Sequence, residues 1–189
     1  MELKDRIRQI LASREKRYVN SDRLVKSAVL LPIYERDQEY HVVLTKRTHE
    51  LPSHKGQTCF PGGAMNKDDL SLLDTALRES YEEIGLNPHD VDVVGELDDT
   101  VTLVTNYIIS PFVGFIPYPL EFTLNEAEVE CLIDVPLDIL TDEESFREET
   151  QVLHGISYVT QFYEYDGDII WGATARILKG FMDLILKED

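Results

Sequence analysis

Residues 78–86 read Arg78-Glu79-Ser80-Tyr81-Glu82-Glu83-Ile84-Gly85-Leu86, and the reading of this stretch decides the fold. Glu79, Glu82 and Glu83 stand at i, i+3 and i+4, so at about 100° per residue they fall within an arc of roughly 100° on one flank of a helix. Leu72, Leu73, Ala76, Leu77, Ser80 and Ile84 make up the face beside it. Gly85 follows the last apolar turn, where a left-handed cap residue belongs, and Pro88 blocks continuation. The spacing predicts a helix over 70–84.

Like charges stacked so closely repel one another. A hard divalent cation resolves that conflict, because Mg²⁺ takes oxygen ligands and commonly sits between a few carboxylates and a substrate's phosphate oxygens. Taken alone, Glu-x-x-Glu-Glu also reads as a solvated acidic face. Its company points elsewhere. Upstream lies Phe60-Pro61-Gly62-Gly63, a turn that lets backbone approach a ligand closely, and Asp68-Asp69 follows at the helix entrance.

The combination resembles the Nudix box, the loop–helix–loop signature of hydrolases that cleave nucleoside diphosphates linked to another moiety. The family pattern is Gly, five residues, Glu, seven residues, then Arg-Glu-x-x-Glu-Glu-x-Gly. Gly63, Arg78, Glu79, Glu82, Glu83, Gly85 and Leu86 match it. Asp69 stands near the place of the first Glu, with eight residues rather than seven between it and Arg78, and Ser80 takes a usually aliphatic position. A second stretch, Leu44-Thr45-Lys46-Arg47, then Leu51-Pro52-Ser53-His54-Lys55-Gly56-Gln57 running into Cys59-Phe60-Pro61-Gly62-Gly63, is similar to the motif preceding the box in coenzyme A pyrophosphatases. The segment Ile170-Trp171-Gly172-Ala173-Thr174-Ala175-Arg176-Ile177-Leu178 is similar to that subfamily's closing segment, and also reads as core packing.

The resemblance implies an α/β (α+β) fold of the Nudix type, an α/β/α sandwich with a mixed β-sheet flanked by helices and the box at residues 62–86. It implies hydrolysis of coenzyme A to 3′,5′-ADP and 4′-phosphopantetheine. One or more Mg²⁺ or Mn²⁺ ions would sit on Glu79, Glu82 and Glu83, with Arg78 orienting the glutamates. Family members differ in taking the general base from the box or from a later loop. Glu79 is the first choice here, with Glu126 and Glu128 as downstream candidates. Lys46, Arg47, His54 and Lys55, with Gly62 and Gly63, are the expected substrate-binding residues. The four basic groups concentrate positive potential just before the carboxylate helix. Alternatively, Lys46 and Arg47 are a strand end reaching for solvent and His54 is a hydrogen-bonded loop histidine.

Outward from the box, Leu3, Ile7, Ile10 and Leu11 predict an amphipathic helix over 2–13, followed by a polar linker to Asp22. Strands are predicted at 26–34, 40–45, 91–97, 107–116, 128–133 and 157–165, a short helix at 136–140 and a last helix at 172–187. Residues 51–65 read as irregular. The acidic runs Asp142-Glu143-Glu144 and Glu148-Glu149 read as solvated loop, and Trp171, Phe162, Tyr163 and Tyr165 as core or sheet face.

With 189 residues and 43% hydrophobic content, the chain reads as one domain over 1–189, residues 1–22 forming an N-terminal helix and linker. Eighteen Lys and Arg against 36 Asp and Glu give a net charge of −18, which excludes nucleic acid as a main partner and leaves an anionic small molecule wherever metal or a basic cluster reverses the sign. Cys59 and Cys131 are too few for a disulfide framework and lack zinc-site spacing. The opening residues are no signal peptide, and no run approaches the roughly 18 apolar residues of a membrane span. A small-molecule substrate, a cytoplasmic location and no membrane are expected, and a homodimer stays open. Two other readings also stand: a pyrophosphatase for ADP-ribose, a dinucleotide or a nucleoside triphosphate, and a non-catalytic nucleotide-sensing module. No EF-hand loop is present.

Overall fold

The structure is a computed structural model that describes residues 2–50, 55–102, 105–153 and 155–187. In chain order it contains α1 (Leu3–Ser13), β1 (Val25–Arg36), β2 (Glu39–Arg47), β3 (Thr58–Cys59), β4 (Gly62–Ala64), α2 (Leu72–Ile84), β5 (Asp92–Glu96) and β6 (Thr100–Val101). There follow β7 (Tyr107–Phe115), β8 (Val129–Pro136), β9 (Phe146–Leu153), β10 (Ile156–Tyr165), β11 (Asp168–Trp171) and α3 (Ala173–Leu186).

A near-continuous apolar run such as Ala28 to Ile33 needs cover on both faces. β1 supplies the centre of the sheet: it runs parallel to β7 and antiparallel to β2 and β4, in the order β3-β2-β1-β7-β5, with β8 on β2 and β6 on β7. Alternation divides its side chains between two cores. Leu31 and Ile33 join Ile7 and Leu11 of α1 and Leu178, Phe181 and Ile185 of α3. Ala28 and Leu30 join Ala76 and Ile84 of α2 on the other side. The result is the expected mixed α/β fold, a mixed sheet with helices on both faces.

Helix α2 starts at Leu72, two residues later than its periodicity predicts, because Ser71 caps it: the Asp74 N–H donates to Ser71 Oγ at 3.1 Å. It stops as predicted. Gly85 adopts φ 69°, its N–H reaches the Tyr81 carbonyl and the Leu86 N–H reaches Ser80.

Two expectations are corrected, and one strand, β11, was not anticipated. The stretch with Glu148-Glu149 is strand β9 and not loop; its acidic side chains stay at the surface, where Glu148 accepts from Gln161 on β10. β11 joins β10 and β9 in a separate antiparallel sheet, so part of the closing segment is strand. Residues 51–65 hold β3 and β4, too short to show a period. The short helix expected at 136–140 is present as a 3₁₀ helix over Leu137–Thr141. Phe162 and Tyr163 are buried as expected, whereas Trp171 is exposed. Among the described residues no helix is long and apolar enough to cross a membrane.

Candidate active site

Arg78 organises the acidic flank of α2. Its Nε donates to Asp69 Oδ1 at 2.8 Å and Nη2 to Asp69 Oδ2 at 3.0 Å; Nη2 also reaches the Ala64 carbonyl at 3.2 Å. Nη1 donates to Glu79 Oε1 at 2.7 Å and Glu82 Oε2 at 3.0 Å. These bonds use every donor a guanidinium has, so Arg78 holds carboxylates and has none left for a substrate. Asp69, one residue out of the family spacing, is the anchor. It also accepts from Thr75 Oγ1 and the Asn66 N–H, and the Arg78 guanidinium holds its carboxyl well below the usual range.

The three glutamates differ in depth. Glu82 is half exposed, Glu79 is largely covered, and Glu83 is buried. Burial pushes the Glu83 carboxyl up to about 8, with Glu79 and Glu128 adding to the rise; the Gly62 N–H, donating at 3.2 Å, and Arg47, with Nη1 3.7 Å from Oε1, oppose it. Burial raises Glu79 as well, against the pull of Arg78. The backbone permits this crowding because positions 62 and 63 lack side chains: a Cβ on Gly63 would lie 2.5 Å from the Glu79 carboxylate, and one on Gly62 2.4 Å from the Ala28 carbonyl.

Oxygen-only donors, two of them taken out of water and raised in pKa, suit a hard divalent ion. In the structure their oxygens face Arg78, Gly62 and Arg47, and among the described residues no three acidic, His or Cys side chains converge into a ready-made cage. Of the downstream acids, Glu128 accepts from Asn125 Nδ2 at 3.3 Å and is close enough to raise both Glu79 and Glu83. Glu126 is exposed in a separate depression with Thr48, His49 and Phe122.

Gly62 and Gly63 also border a cavity of about 650 Å³. Its walls come from β1, β3, β4 and β7 of the large sheet, from β9, β10 and β11, and from the start of α3. Arg47 and Arg176 line it, and among the described residues no Asp or Glu does.

The expected basic cluster is therefore divided. Successive strand residues point to opposite faces, and a register shift separates Lys46 from Arg47. Arg47 lines the cavity and approaches Glu83, while Lys46 turns away to Asp168 at 2.8 Å. Lys55 is exposed and outside the cavity wall. His54 lies outside the described residues. Burial pushes the Cys59 thiol up, away from a reactive thiolate. Sequence reasoning missed Arg176 and Thr174 as cavity residues, having read their segment as family motif or core. An arginine in the first turn of a mostly apolar helix was the available signal.

A family model for the NUDIX domain matches residues 24–129. The chain is 36% identical over 154 residues to an uncharacterized Nudix hydrolase, NudL, of Salmonella paratyphi B, covering 82% of this chain and 79% of that one. The NudL of an Enterobacter species is 34% identical over the same shares. In fold the chain is similar to a MutT/nudix family protein from Enterococcus faecalis, with TM-score 0.59, 12% identity and coverage of 93% of this chain and 67% of that one. It is also similar to a C. elegans Ap4A hydrolase, with TM-score 0.52, 14% identity and coverage of 61% and 82%. The domain match takes in β1, the glycine turn, all of α2 and its cap, and so the chain belongs to the Nudix family and is one of its pyrophosphohydrolases.

Proposed function

We propose that this Nudix hydrolase, whose family acts on nucleoside diphosphate derivatives, hydrolyses the diphosphate of coenzyme A or its derivatives to 3′,5′-ADP and 4′-phosphopantetheine or the acyl form. One observation carries the reading. In a chain of charge −18, the cavity beside the buried glutamates is lined, among the described residues, by two arginines and no carboxylate, a local reversal of sign that a polyphosphate ester requires. The resemblance of residues 44–63 to the coenzyme A motif supports that choice of ester, and the free thiols of Cys59 and Cys131 support a reducing cytosol as its setting.

Glu79, Glu82 and Glu83 would hold Mg²⁺ or Mn²⁺, which when bound supplies charge neutralisation on the diphosphate and a more acidic water. Arg78 keeps the glutamates on one flank. Gly62 and Gly63 bring backbone against them, and Arg47 offers its guanidinium to the diphosphate oxygens. Glu79 takes the proton of the attacking water, a step typically worth about 10²- to 10⁴-fold, with Glu128 beside it as the second candidate.

The test incubates purified protein with coenzyme A, ADP-ribose and a nucleoside triphosphate, each with Mg²⁺, Mn²⁺ or chelator, and identifies products by mass. Metal-dependent release of 3′,5′-ADP from coenzyme A is expected. Cleavage of ADP-ribose alone overturns the substrate, and binding without any turnover overturns catalysis.

A further inference from the structure

Helix α3 opens onto the cavity. Its N-cap is Gly172, at φ 68°, and no side chain closes the first turn, so the leading N–H groups end at the wall formed by Gly172, Ala173 and Thr174. Arg176 stands one turn in, where a cation adds to the positive end of the helix dipole and costs stability unless an anion sits there. Its Nη2 donates to the Val101 carbonyl at 2.7 Å, and among the described residues it meets no carboxylate. Burial, and nothing else, shifts it downward.

A second, independent observation lies beside it. Thr58, Thr160 and Thr174 are 4%, 6% and 9% exposed, all three line the cavity, and among the described residues none of their hydroxyls is bonded to another side chain or sealed from solvent, so each oxygen reaches the cavity. These three open onto the cavity together with an arginine and an uncapped helix start, and among the described residues no acidic side chain lines the wall.

We infer that the α3 wall is a subsite for a phosphomonoester of the substrate, separate from the diphosphate that is cleaved: Arg176, Thr174 Oγ1 and the first-turn N–H groups of α3 bind it, with Thr160 on the neighbouring strand. The ligand class is a nucleoside 3′,5′-bisphosphate. This rests on the coenzyme A reading and deepens it, since the subsite selects the nucleotide half by its 3′-phosphate.

The test uses the full chain and has two arms. In the first, calorimetry measures binding of 3′,5′-ADP and 5′-AMP to wild type, Arg176→Gln, Arg176→Lys and Thr174→Val. In the second, kcat and KM are measured for coenzyme A and for the same molecule without its 3′-phosphate. Gln keeps a donor for the Val101 carbonyl while removing the charge. Wild type is expected to bind 3′,5′-ADP about 10- to 100-fold more tightly than 5′-AMP. Arg176→Gln should erase most of that preference, Arg176→Lys should keep part of it, and Thr174→Val should lower it about threefold. The ratio of kcat/KM between the two coenzyme forms should fall with it, through KM. Equal wild-type affinity for the two nucleotides, or an equal loss for both in Arg176→Gln, overturns the subsite. If coenzyme A is not cleaved but 3′,5′-ADP is preferred, the coenzyme A reading fails and the subsite stands. If coenzyme A is cleaved as readily without its 3′-phosphate, the reading stands and the subsite fails. Should Arg176→Gln not fold by circular dichroism, Thr174→Val and Arg176→Lys decide.

Discussion

Asp69 grips Arg78 with both carboxylate oxygens, Oδ1 on Nε at 2.8 Å and Oδ2 on Nη2 at 3.0 Å, and this fork sets the direction of the whole guanidinium. The remaining donors then point to Glu79, Glu82 and Ala64. Asp69 is buried, so removing it strands a partly buried cation. Asp69→Ala should cost about 2 kcal/mol in urea unfolding, allowing for the solvent that reaches Arg78. It should also lower turnover about tenfold or more by freeing the glutamates. Asp69→Asn, which preserves one acceptor, should fall between. Wild-type stability and rate in Asp69→Ala would show that the fork is incidental.

Adjacent glycines should fail in different ways. A Cβ at position 62 meets the Ala28 carbonyl at 2.4 Å with φ at 153°, so Gly62→Ala should destabilise the fold by about 2 kcal/mol or more. A Cβ at position 63 meets the Glu79 carboxylate at 2.5 Å, the movable end of a side chain. Gly63→Ala should therefore melt near the wild-type temperature and lose most of its turnover. Thermal scans paired with initial rates separate the two.

Glu83 should make the metal-free fold less stable as pH rises. Its carboxyl keeps its proton to about 8 in the folded state but lets it go near 4.5 when unfolded, so stability drops between those values. Glu83→Gln should flatten that part of the profile and fold at least as well as wild type. Divalent metal favours the ionised form, so Mg²⁺ should raise the wild-type melting temperature at pH 8 and raise it much less in Glu83→Gln. Turnover should fall roughly two orders of magnitude or more in that variant. A rate close to wild type would remove Glu83 from the metal set.

The N-terminal linker is tied down by charge. Arg14 and Arg17 reach Asp98 at 2.5 and 2.6 Å, the Arg17 N–H adds a third bond, and Lys16 pairs with Glu96 and Asp99. Burial works against the ionised Asp98, yet the bonds from Arg14 and Arg17 outweigh it and hold the carboxyl at about 2, below its ordinary 3.8. This stabilisation is full above about pH 4 and disappears as pH falls through 2. After solvent screening it amounts to about 1 kcal/mol. A carboxyl NMR titration should find Asp98 depressed, and Asp98→Ala should speed proteolysis in residues 14–19.

What the sequence determined by itself was local. Helical spacing from Leu72 to Ile84, the cap at Gly85 and the i, i+3, i+4 placement of Glu79, Glu82 and Glu83 depend on backbone geometry within a few residues, and each was legible before any contact was known. The buried run of β1 was legible for the same reason, since cover on both faces leaves no polar alternation. Tertiary structure decided everything that depends on distant partners. Lys46 and Arg47 adjoin in the chain, but the pleat sends one to Asp168 and the other to the cavity beside Glu83. Glu148 and Glu149 look like loop until β10 supplies hydrogen-bond partners for their backbone. Asp69 matches the family spacing only approximately, because what places it is the reach of Arg78 from one turn of α2 and not a count of residues. Arg176 reads as one charge on a mostly apolar helix until strands of both sheets and the start of α3 close a cavity around it, since burial and charge environment are set by all the walls at once.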